Sequence, residues 1–238
     1  MERLLLAWYD RVGRDLPWRR TRDPYAILVS EVMLQQTQVE RVVPRYEGWL
    51  ARWPTAAALA AADTADVLRE WQGLGYNRRA VNLHRAAQQI AAAGWPDDLT
   101  ELPGVGRYTA DAVARFALER PVLPKDTNVL RILERTRGEF GPASAHALMD
   151  LGATICLARI PRCDLCPLSG ECPSRGSRYE PLRKQSRFEG SFRQRRARAL
   201  KLVAAAPQPR ESLEPQVVDA LERDGLVEFQ NGLVALPD

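Results

Sequence analysis

All four cysteines of the 238-residue chain lie in one short window with the spacing C-x6-C-x2-C-x5-C. They are Cys156, Cys163, Cys166 and Cys172. A disulfide framework would distribute its cysteines through the fold, whereas thiols this close together can converge on one metal centre. An iron–sulfur cluster and a structural zinc can both be held by four cysteines, but zinc sites usually use paired C-x2-C units. The window therefore predicts a soft-metal centre that folds this segment.

Two carboxylate residues, Glu31 and Asp126, occupy positions at which acid–base or electrostatic catalysis is possible. Glu31 lies inside an apolar helical stretch between Val29 and Val32. Burial raises the tendency of a carboxyl group to hold a proton, which suits a general acid. Asp126 directly precedes a predicted helix, a position that an aspartate most often occupies as an N-cap. The residues alone therefore make Glu31 a candidate acid and leave Asp126 open.

A glycine-containing loop leads directly into a predicted helix that begins with Arg107. The loop consists of Leu102, Pro103, Gly104, Val105 and Gly106. Free backbone amides at a helix N-terminus form an anion site, and a glycine turn between two helices that binds a phosphate is the helix-hairpin-helix arrangement. The full string L-P-G-V-G-R-Y-T-A, followed by an apolar helical face, favours binding of a DNA backbone over a simple helix–helix turn. Upstream, Gln35 and Gln36 carry amides that suit the edges of bases.

Apolar residues at helical spacing predict a chain of helices with short breaks. Thr55 and Asp63 are expected N-caps, and no alternating strand pattern precedes residue 200. The predicted helices are Glu2–Val12, Pro24 to about Gln38, a following segment to Trp53, Tyr76–Ala93, Arg107–Leu118, Thr127–Arg137 and Pro142–Cys156.

After the cysteines the pattern changes. Ser191–Ala205 and Glu214–Arg223 predict two helices. The dipeptide Asn231-Gly232 stands between short apolar runs, which predicts a β-hairpin. Two helices followed by a hairpin predict a small winged-helix-like region at the C-terminal end of the chain.

Charge and hydropathy limit the partner and the compartment. The net charge is +4, and the segment from Arg175 to Lys201 carries many cations, including Arg183 and Lys184. This segment is either a solvated linker and helix face or a surface that contacts phosphates. No apolar run is long enough to span a membrane, and the first residues do not read as a signal peptide. We therefore expect no membrane association, reduced thiols and a cytoplasmic location.

Taken in order, the motifs resemble those of MutY-type adenine DNA glycosylases of the endonuclease III, helix-hairpin-helix superfamily. The resemblance covers roughly residues 4–175. It implies an all-α, two-lobed helix-hairpin-helix DNA glycosylase fold with an iron–sulfur cluster loop, followed by a small winged-helix-like α+β appendage. The motifs are L-P-W-R (Leu16–Arg19), S-E-V-M-L-Q-Q-T-Q-V (Ser30–Val39), G-L-G-Y (Gly73–Tyr76), N-L-H (Asn82–His84), L-P-G-V-G-R-Y-T-A (Leu102–Ala110), D-T-N-V (Asp126–Val129), M-D-L-G-A-T-I-C (Met149–Cys156) and the cysteine spacing.

The resemblance also implies a division into domains, and the chain departs from the family pattern at three points, one of which is Asn77 where many relatives have a second tyrosine. We expect residues 21–125 to form a six-helix lobe, residues 1–20 and 126–178 a cluster lobe, and residues 179–238 a basic linker with the winged-helix-like region. Typical members carry a C-terminal Nudix-like domain that recognises 8-oxoguanine, and the residues after the cluster are too few for it. A short form is expected, in which the basic C-terminal segment replaces that domain or opposite-base selectivity is weak or different. Lys125 precedes Asp126 where an apolar residue is commoner, and it is either exposed or helps to keep Asp126 ionised.

The chemistry that the resemblance implies is cleavage of an N-glycosidic bond. The four cysteines would hold a [4Fe–4S] cluster that shapes a DNA-binding loop with Arg159 and Arg162. Glu31 would protonate N7 of a flipped adenine, and Asp126, supported by Asn128, would stabilise the oxocarbenium ion electrostatically or through a transient adduct. The implied DNA-binding residues are the wedge residues Gln36 and Tyr76, the adenine-pocket residues Trp18, Arg19 and Asp150, the hairpin residues Leu102, Gly104, Val105, Gly106 and Arg107, and Gln35.

One position predicts the reaction subclass. Glycosylase–lyases of this superfamily carry a Schiff-base lysine where this chain has Tyr108, so we expect a monofunctional enzyme that leaves an abasic site. Mismatch thymine glycosylases also have tyrosine there, so a thymine or uracil glycosylase is one alternative, and a DNA-binding module without activity is another. Glu31 favours adenine because a pyrimidine has no N7, and retention of both carboxylates argues against the inactive module. The expected partner is double-stranded DNA with a mispaired or damaged base, bound by a nucleoid-associated monomer.

Overall fold

The computed structural model describes residues 1–178 and 187–237, so residues 179–186 of the predicted basic linker lie outside the described residues. The described chain is mainly helical, as the apolar periodicity predicts. Its α-helices are α1 (Glu2–Val12), α2 (Pro24–Leu34), α3 (Val39–Arg52), α4 (Ala56–Ala60), α5 (Thr64–Glu70), α6 (Arg78–Ala93), α7 (Arg107–Phe116), α8 (Thr127–Thr136), α9 (Ala145–Thr154), α10 (Phe192–Ala205) and α11 (Pro215–Arg223).

The chain folds as two compact units. Unit 1 comprises Met1–Pro24 and Gly106–Lys184, and unit 2 comprises Tyr25–Val105 and Gln185–Asp238. The boundary falls in the glycine loop, whereas the sequence-based division puts it at residue 125 and separates residues 179–238. The C-terminal region joins unit 2 because α10 packs on α5.

The core of unit 1 is formed by α1, α8 and α9. Leu5, Ile132 and Leu148 are among its fully buried side chains. Glycine at position 152 lets α9 approach α8 closely, since a Cβ at Gly152 would lie 2.6 Å from the Cβ of Asn128. This close packing fixes the start of α8, the segment that follows Asp126.

Helix α2, most of which lies in unit 2, is buried on all sides. Every α2 residue from Tyr25 to Met33 is buried, as expected of a helix without a polar face. The ring centroid of Trp49 lies 4.7 Å from that of Trp53 and 5.4 Å from that of Trp71, both edge-on. The Tyr25 hydroxyl accepts a hydrogen bond from Trp49 Nε1 at 3.2 Å and donates to the Trp53 carbonyl at 3.0 Å. These contacts anchor the beginning of the helix that carries Glu31.

The C-terminal region contains the predicted helices and hairpin. Asn231 and Gly232 both have positive φ, 49° and 82°, which is the backbone of a tight hairpin turn. A short first strand was not predicted, because a two-residue strand shows no alternation. The antiparallel sheet has the order β1-β3-β2 and is built from β1 (Gln208–Pro209), β2 (Glu228–Gln230) and β3 (Leu233–Ala235). The all-α fold with a small α+β appendage is thereby confirmed.

Two predicted helix boundaries are wrong, and both errors concern candidate functional residues. α2 ends at Leu34 and not near Gln38, because Gln36 adopts a left-handed backbone with φ of 56°. α6 begins at Arg78 and not at Tyr76, whose φ is 48°. Gln36 and Tyr76 therefore lie in turns, where few non-glycine residues adopt this conformation.

The remaining boundaries differ by a few residues. Thr55 accepts a hydrogen bond from the Ala58 amide and caps α4 as predicted, whereas Asp63 occupies the N-cap position of α5 without a side-chain capping bond. The predicted helix at Pro142–Cys156 begins with a 3₁₀ turn, Pro142–Ser144, before α9. Among the described residues, no helix has both the length and the apolar character needed to cross a membrane.

Candidate active site and metal centre

Glu31 is buried within α2, with 5% of its surface exposed. Its neighbour Ser30 is fully buried and donates its hydroxyl proton to the Ile27 carbonyl at 2.8 Å, so it adds no water-accessible polar surface. A carboxyl group shielded from bulk water in this way has the environment of a general acid.

Two turns of unit 2 each expose one candidate side chain. Gln36 is exposed between α2 and α3, and Tyr76 is 41% exposed between α5 and α6. Gly73 and Gly75, with φ of 93° and 74°, form the tight turn that precedes Tyr76. Both side chains are thus presented to solvent by left-handed backbone conformations. Strained turns of this kind often occur at functional sites.

Arg79, which was not predicted as a site residue, connects the end of α2 to both turns through hydrogen bonds. Its Nη1 donates to the carbonyls of Val32 and Met33 at 2.6 and 3.0 Å. Its Nη2 donates to Thr37 Oγ1 at 3.2 Å and to the Gly75 carbonyl at 2.9 Å. Burial lowers the pKa of Arg79 to about 10, so the guanidinium remains charged at neutral pH. Arg79 therefore holds the Glu31 helix and the turns of Gln36 and Tyr76 in one arrangement.

The glycine loop exposes mainly backbone atoms at the surface, because its leucine and valine side chains are buried. Leu102 and Val105 are buried, whereas Gly106 is exposed and is the N-cap residue of α7 without a side-chain cap. Gly104 has φ of 76°, and a Cβ there would lie 2.7 Å from the Cβ of Asn82. Asn82, from the N-L-H motif, thus packs directly under the loop. Exposed α7 amides without a capping side chain fit the predicted anion site.

Two predicted hairpin residues of α7 lie next to these amides. The Arg107 side chain is 81% exposed and pairs with Asp111, whose Oδ1 lies 3.1 Å from Nε. Tyr108 is half-buried in the first turn of α7. Of the two, only Arg107 offers a charge to a ligand at the surface.

Asp126 is the N-cap residue of α8, and its carboxylate is held by hydrogen bonds. Its Oδ1 accepts from the Val129 amide at 2.7 Å, and its Oδ2 accepts from Asn128 Nδ2 at 3.1 Å. Asn128 in turn accepts from Arg131 Nη2 at 2.8 Å, and Arg131 Nε donates to the Cys156 carbonyl at 2.8 Å. A continuous hydrogen-bonded path therefore connects Asp126 with the first cysteine. Lys125 is exposed, so the first of its two expected roles fits the structure.

Asp150 lies in a buried ionic cluster of unit 1. Arg19 approaches it with both terminal nitrogens, at 3.0 and 2.7 Å, and Arg14 Nε donates to it at 2.8 Å. Burial alone would raise the pKa of Asp150, but the hydrogen bonds from Arg19 and Arg14 hold it below its usual value. Two predicted adenine-pocket residues, Arg19 and Asp150, are therefore brought into direct contact.

A cavity of about 180 Å³ in unit 1 is lined by Trp18, Arg19, Arg115, Phe116 and His146, among others. Arg19 Nε is buried and has no hydrogen-bond acceptor within residues 1–178 and 187–237. The His146 ring stacks on Phe116, with centroids 4.2 Å apart. Burial, together with the charges of Arg19 and Arg115, lowers the pKa of His146 to about 4.

The four cysteines are all free thiols and line one cavity in unit 1. Two N–H groups point at their sulfurs: Arg135 Nη1 lies 3.2 Å from Cys156 Sγ, and the Gly176 amide lies 3.3 Å from Cys163 Sγ. Burial raises the pKa of the Cys166 thiol, and the three neighbouring thiols raise it further. In the described part of the chain, no three histidine, cysteine, aspartate or glutamate side chains are grouped so as to hold one metal ion.

The segment between the first two cysteines is exposed on its outer side. Arg159 and Arg162 are exposed, and Ile160 is 74% exposed. Arg135 Nη2 donates to the carbonyls of Ala158 and Ser177, both at 2.9 Å, so this arginine supports the segment from beneath. The structure thus presents the two predicted loop arginines to solvent.

Comparison with known proteins identifies the family. The adenine DNA glycosylase of Mycobacterium tuberculosis is 44% identical over 94% of this chain and 86% of its own length. A family model described as HhH-GPD superfamily base excision DNA repair protein matches residues 29–150, just over half of the chain. This chain belongs to the HhH-GPD superfamily of base-excision DNA repair proteins. The MutY-type resemblance inferred from the motifs is confirmed, and the chain is a DNA N-glycosylase by family.

Two further similarities show how far the family likeness extends. The human adenine DNA glycosylase is 38% identical over 72% of this chain and 38% of its own length. The solved structure of a thermostable thymine-DNA glycosylase is 26% identical, covers 73% of this chain and 94% of that chain, and has a TM-score of 0.66. A coverage of 94% by the mycobacterial relative cannot be reached without residues beyond 178. The C-terminal region of this glycosylase is therefore shared with that relative.

Three arginines that support the candidate site were not predicted from the sequence: Arg79, Arg131 and Arg135. Arg131 and Arg135 stand four residues apart among the apolar positions of α8, and both are buried. Arg79 follows closely on the G-L-G-Y turn. Buried arginines are rare unless they are paired, so cations inside an apolar helical stripe are the signal that could have indicated them.

Proposed function

We propose that this glycosylase removes adenine mispaired with 8-oxoguanine or guanine from duplex DNA by hydrolysis of the N-glycosidic bond. The observation that carries the proposal is that Glu31 and Asp126 occur in two different local settings, one buried within α2 and one at the N-cap of α8, in a chain 44% identical to adenine DNA glycosylases. This division of labour between two carboxylates is the pattern of glycoside-cleaving sites.

Glu31 is the proposed general acid. Protonation of N7 withdraws electrons from the glycosidic bond of adenine and makes the base a better leaving group. A pyrimidine has no N7, so this role of Glu31 favours a purine substrate. The burial of Glu31 supports the assignment because it separates the carboxyl group from bulk water.

Asp126 is the proposed stabiliser of the cationic sugar. Its hydrogen bonds with the Val129 amide and Asn128 hold both oxygens in fixed directions. A preoriented anion stabilises developing positive charge without reorganisation at the moment of reaction. Tyr108 stands where lyases carry lysine, so no amine is available at that position for a Schiff base, and the expected product is an abasic site.

DNA engagement is assigned to three groups of residues. The exposed amides at Gly106 and Arg107 would bind a phosphate, and Gln36 and Tyr76 would enter the duplex beside the flipped nucleotide. The proposed adenine pocket includes Trp18, Arg19 and Asp150. The buried Arg19 Nε supports this pocket because it is a donor that lacks an acceptor among the described residues.

Cys156, Cys163, Cys166 and Cys172 are the proposed ligands of a [4Fe–4S] cluster. Four free thiols around one cavity, two of which receive N–H donors, fit such a cluster. A structural zinc usually uses paired C-x2-C units, and only Cys163 and Cys166 have that spacing. When bound, the cluster would fold the cysteine segment and present Arg159 and Arg162 to DNA.

We further propose that the enzyme acts as a cytoplasmic, nucleoid-associated monomer.

Base release from labelled duplexes tests the function. The substrates carry adenine opposite 8-oxoguanine, adenine opposite guanine, and thymine or uracil opposite guanine. We expect release of adenine from the first two, with strand cleavage only after alkali or heat. Release of thymine or uracil alone would favour the alternative that the thymine-DNA glycosylase fold suggests, and no release from any duplex would favour a DNA-binding module without activity.

A further inference from the structure

The beginning of α10 and the residues before it form a surface rich in arginine and aromatic side chains. Residues 187–201 contain six cations and one carboxylate. Phe188 and Phe192 are 52% and 38% exposed. The Arg193 guanidinium lies 6.0 Å from the centroid of the Phe188 ring, and that of Arg195 lies 5.5 Å from the Phe192 ring. We call residues 187–201 the α10 surface.

The α10 surface is fixed against the rest of unit 2 by polar contacts. Asp224, at the end of α11, pairs with Arg196 and also lies 3.7 Å from Arg78 Nη1 at the start of α6. At the other end of α10, Arg69 Nε donates to the Ala204 carbonyl at 3.4 Å. These contacts, together with the packing of α10 on α5, hold the helix in a defined position beside the Tyr76 turn.

Arg193 brings the α10 surface into contact with Tyr76. Its Nη1 donates a hydrogen bond to the Tyr76 hydroxyl at 3.2 Å. The ring of the same tyrosine also lies near Arg79, whose guanidinium is 5.7 Å from the ring centroid. Exposed arginines and phenylalanines therefore continue directly from the residue that we assign as the duplex wedge.

We propose that the α10 surface is a DNA-contacting surface continuous with the Tyr76 turn, in which Arg193 neutralises a phosphate next to the flipped nucleotide. This inference rests on the proposed function in one respect, the assignment of Tyr76 to the duplex. The chemistry favours DNA because a guanidinium fork matches phosphate oxygens, and exposed aromatic rings can pack against unstacked bases. The excess of cations over carboxylates favours a polyanion over a protein partner with mixed charge.

Equilibrium binding of Arg193→Gln tests the inference. The probe is a fluorescein-labelled duplex that carries a tetrahydrofuran abasic analogue opposite guanine, titrated by anisotropy at several NaCl concentrations. We expect Kd to rise about threefold to tenfold and the slope of log K against log salt to fall by about one, as for loss of one phosphate contact. An unchanged Kd, or a raised Kd with an unchanged slope, would overturn the inference and leave this surface to another partner, such as an acidic protein.

Arg210→Gln is the matched control. Arg210 is also in the C-terminal region, pairs with Asp219 at 2.9 Å, and lies 5.8 Å from the Phe229 ring centroid. Its substitution removes the same charge from a similar setting, and we expect an unchanged Kd. An equal weakening in both variants would indicate a general effect of net charge and would contradict a specific contact at Arg193.

The Tyr76→Phe variant tests whether Arg193 contacts a phosphate directly or affects DNA binding only by holding the Tyr76 side chain. This change removes the hydroxyl that accepts the Arg193 hydrogen bond and keeps the ring. If Arg193 contacts DNA itself, Arg193→Gln weakens binding as much in the Tyr76→Phe background as in the wild type. Disappearance of its effect there would overturn the direct contact.

The binding assay does not depend on catalysis, so the two proposals can fail separately. Wild-type protein that binds the abasic duplex as expected but releases no adenine would overturn the proposed function and leave the α10 surface in place. Wild-type protein that releases adenine, with unchanged binding by Arg193→Gln, would overturn the α10 surface alone.

Discussion

The two units place their proposed catalytic carboxylates in different settings. In unit 1, Asp126 is half-buried and accepts hydrogen bonds from Val129 and Asn128, which belong to a path that reaches the cysteine segment. In unit 2, Glu31 is buried in a helix that is apolar on every side, and Arg79 secures the end of that helix. A hydrogen-bonded network orients an anion, whereas an apolar environment separates an acid from water. Asp126 is therefore oriented by hydrogen bonds at the start of α8, whereas Glu31 lies inside a helix that is buried along most of its length.

The largest expected effect is the loss of activity in Asp126→Asn. Asparagine caps helices as well as aspartate and keeps an oxygen for the Val129 amide, but it removes the negative charge. We expect base release to fall by about 10³-fold or more in single-turnover assays, with little change in the free energy of unfolding by urea.

Asp63→Asn is the matched control for this change. Asp63 occupies the N-cap position of α5 in unit 2 without a side-chain capping bond, so the same chemical change should leave both rate and stability unaltered. A large loss of stability in Asp126→Asn with little loss of base release would mean that Asp126 acts as a helix cap only.

Asp150→Asn should show that unit 1 depends on buried charge. The side chains of Asp150 and Arg19 are 2% and 8% exposed, so loss of the carboxylate leaves a buried guanidinium without its counter-charge. We expect the free energy of unfolding to fall by about 3–5 kcal/mol in urea denaturation. Asp15→Asn breaks the exposed pair with Arg20 and should have a much smaller effect. Equal losses in the two variants would contradict the importance of burial.

Arg79→Lys tests whether one cation organises the turns of unit 2. Lysine keeps the charge but cannot reach the carbonyls of Val32 and Met33 and the turn acceptors together. We expect a loss of about 2 kcal/mol of stability and weaker base flipping, read from 2-aminopurine fluorescence beside the target nucleotide. Arg78→Lys, at the neighbouring exposed arginine, should leave the fluorescence change intact. Full flipping by Arg79→Lys would show that the turns form without Arg79.

The smallest expected effect is the pH dependence of stability from the two histidines, the half-buried His146 and the buried His84. The folded pKa of His146, about 4, lies below its usual 6.5, so the unfolded chain binds protons more readily as pH falls through this range. Stability should therefore decrease on acidification, by about 1 kcal/mol per pH unit just below pH 6.5. His146→Phe should flatten the dependence, measured by urea unfolding at several pH values.

Just below pH 6.5, the slope that remains in His146→Phe should come mainly from His84 in unit 2. Burial also lowers the pKa of His84, so its contribution has the same sign. An unchanged pH dependence in His146→Phe would mean that His146 does not become protonated on unfolding.

Local patterns predicted most of the helices and the hairpin. Asn231-Gly232 forms the expected turn because its backbone conformation is encoded by the two residues themselves. The helix boundaries at Gln36 and Tyr76 were wrong because hydrogen bonds from Arg79, distant in sequence from α2, stabilise turns that local propensity does not favour. The ionic contacts of Asp150 with Arg14 and Arg19 likewise join segments that no local pattern connects.

The sequence by itself determined the family and indicated the candidate catalytic and cluster residues, because motifs and cysteine spacing are local properties of the chain. Only the tertiary structure decided how those residues are held: Asp126 through Asn128 and Arg131, and the turns of unit 2 through Arg79. It also decided that Arg193 meets Tyr76, two residues far apart along the chain. The physical reason is that the direction of a buried guanidinium depends on acceptors supplied by distant segments, which become neighbours only when the apolar cores form.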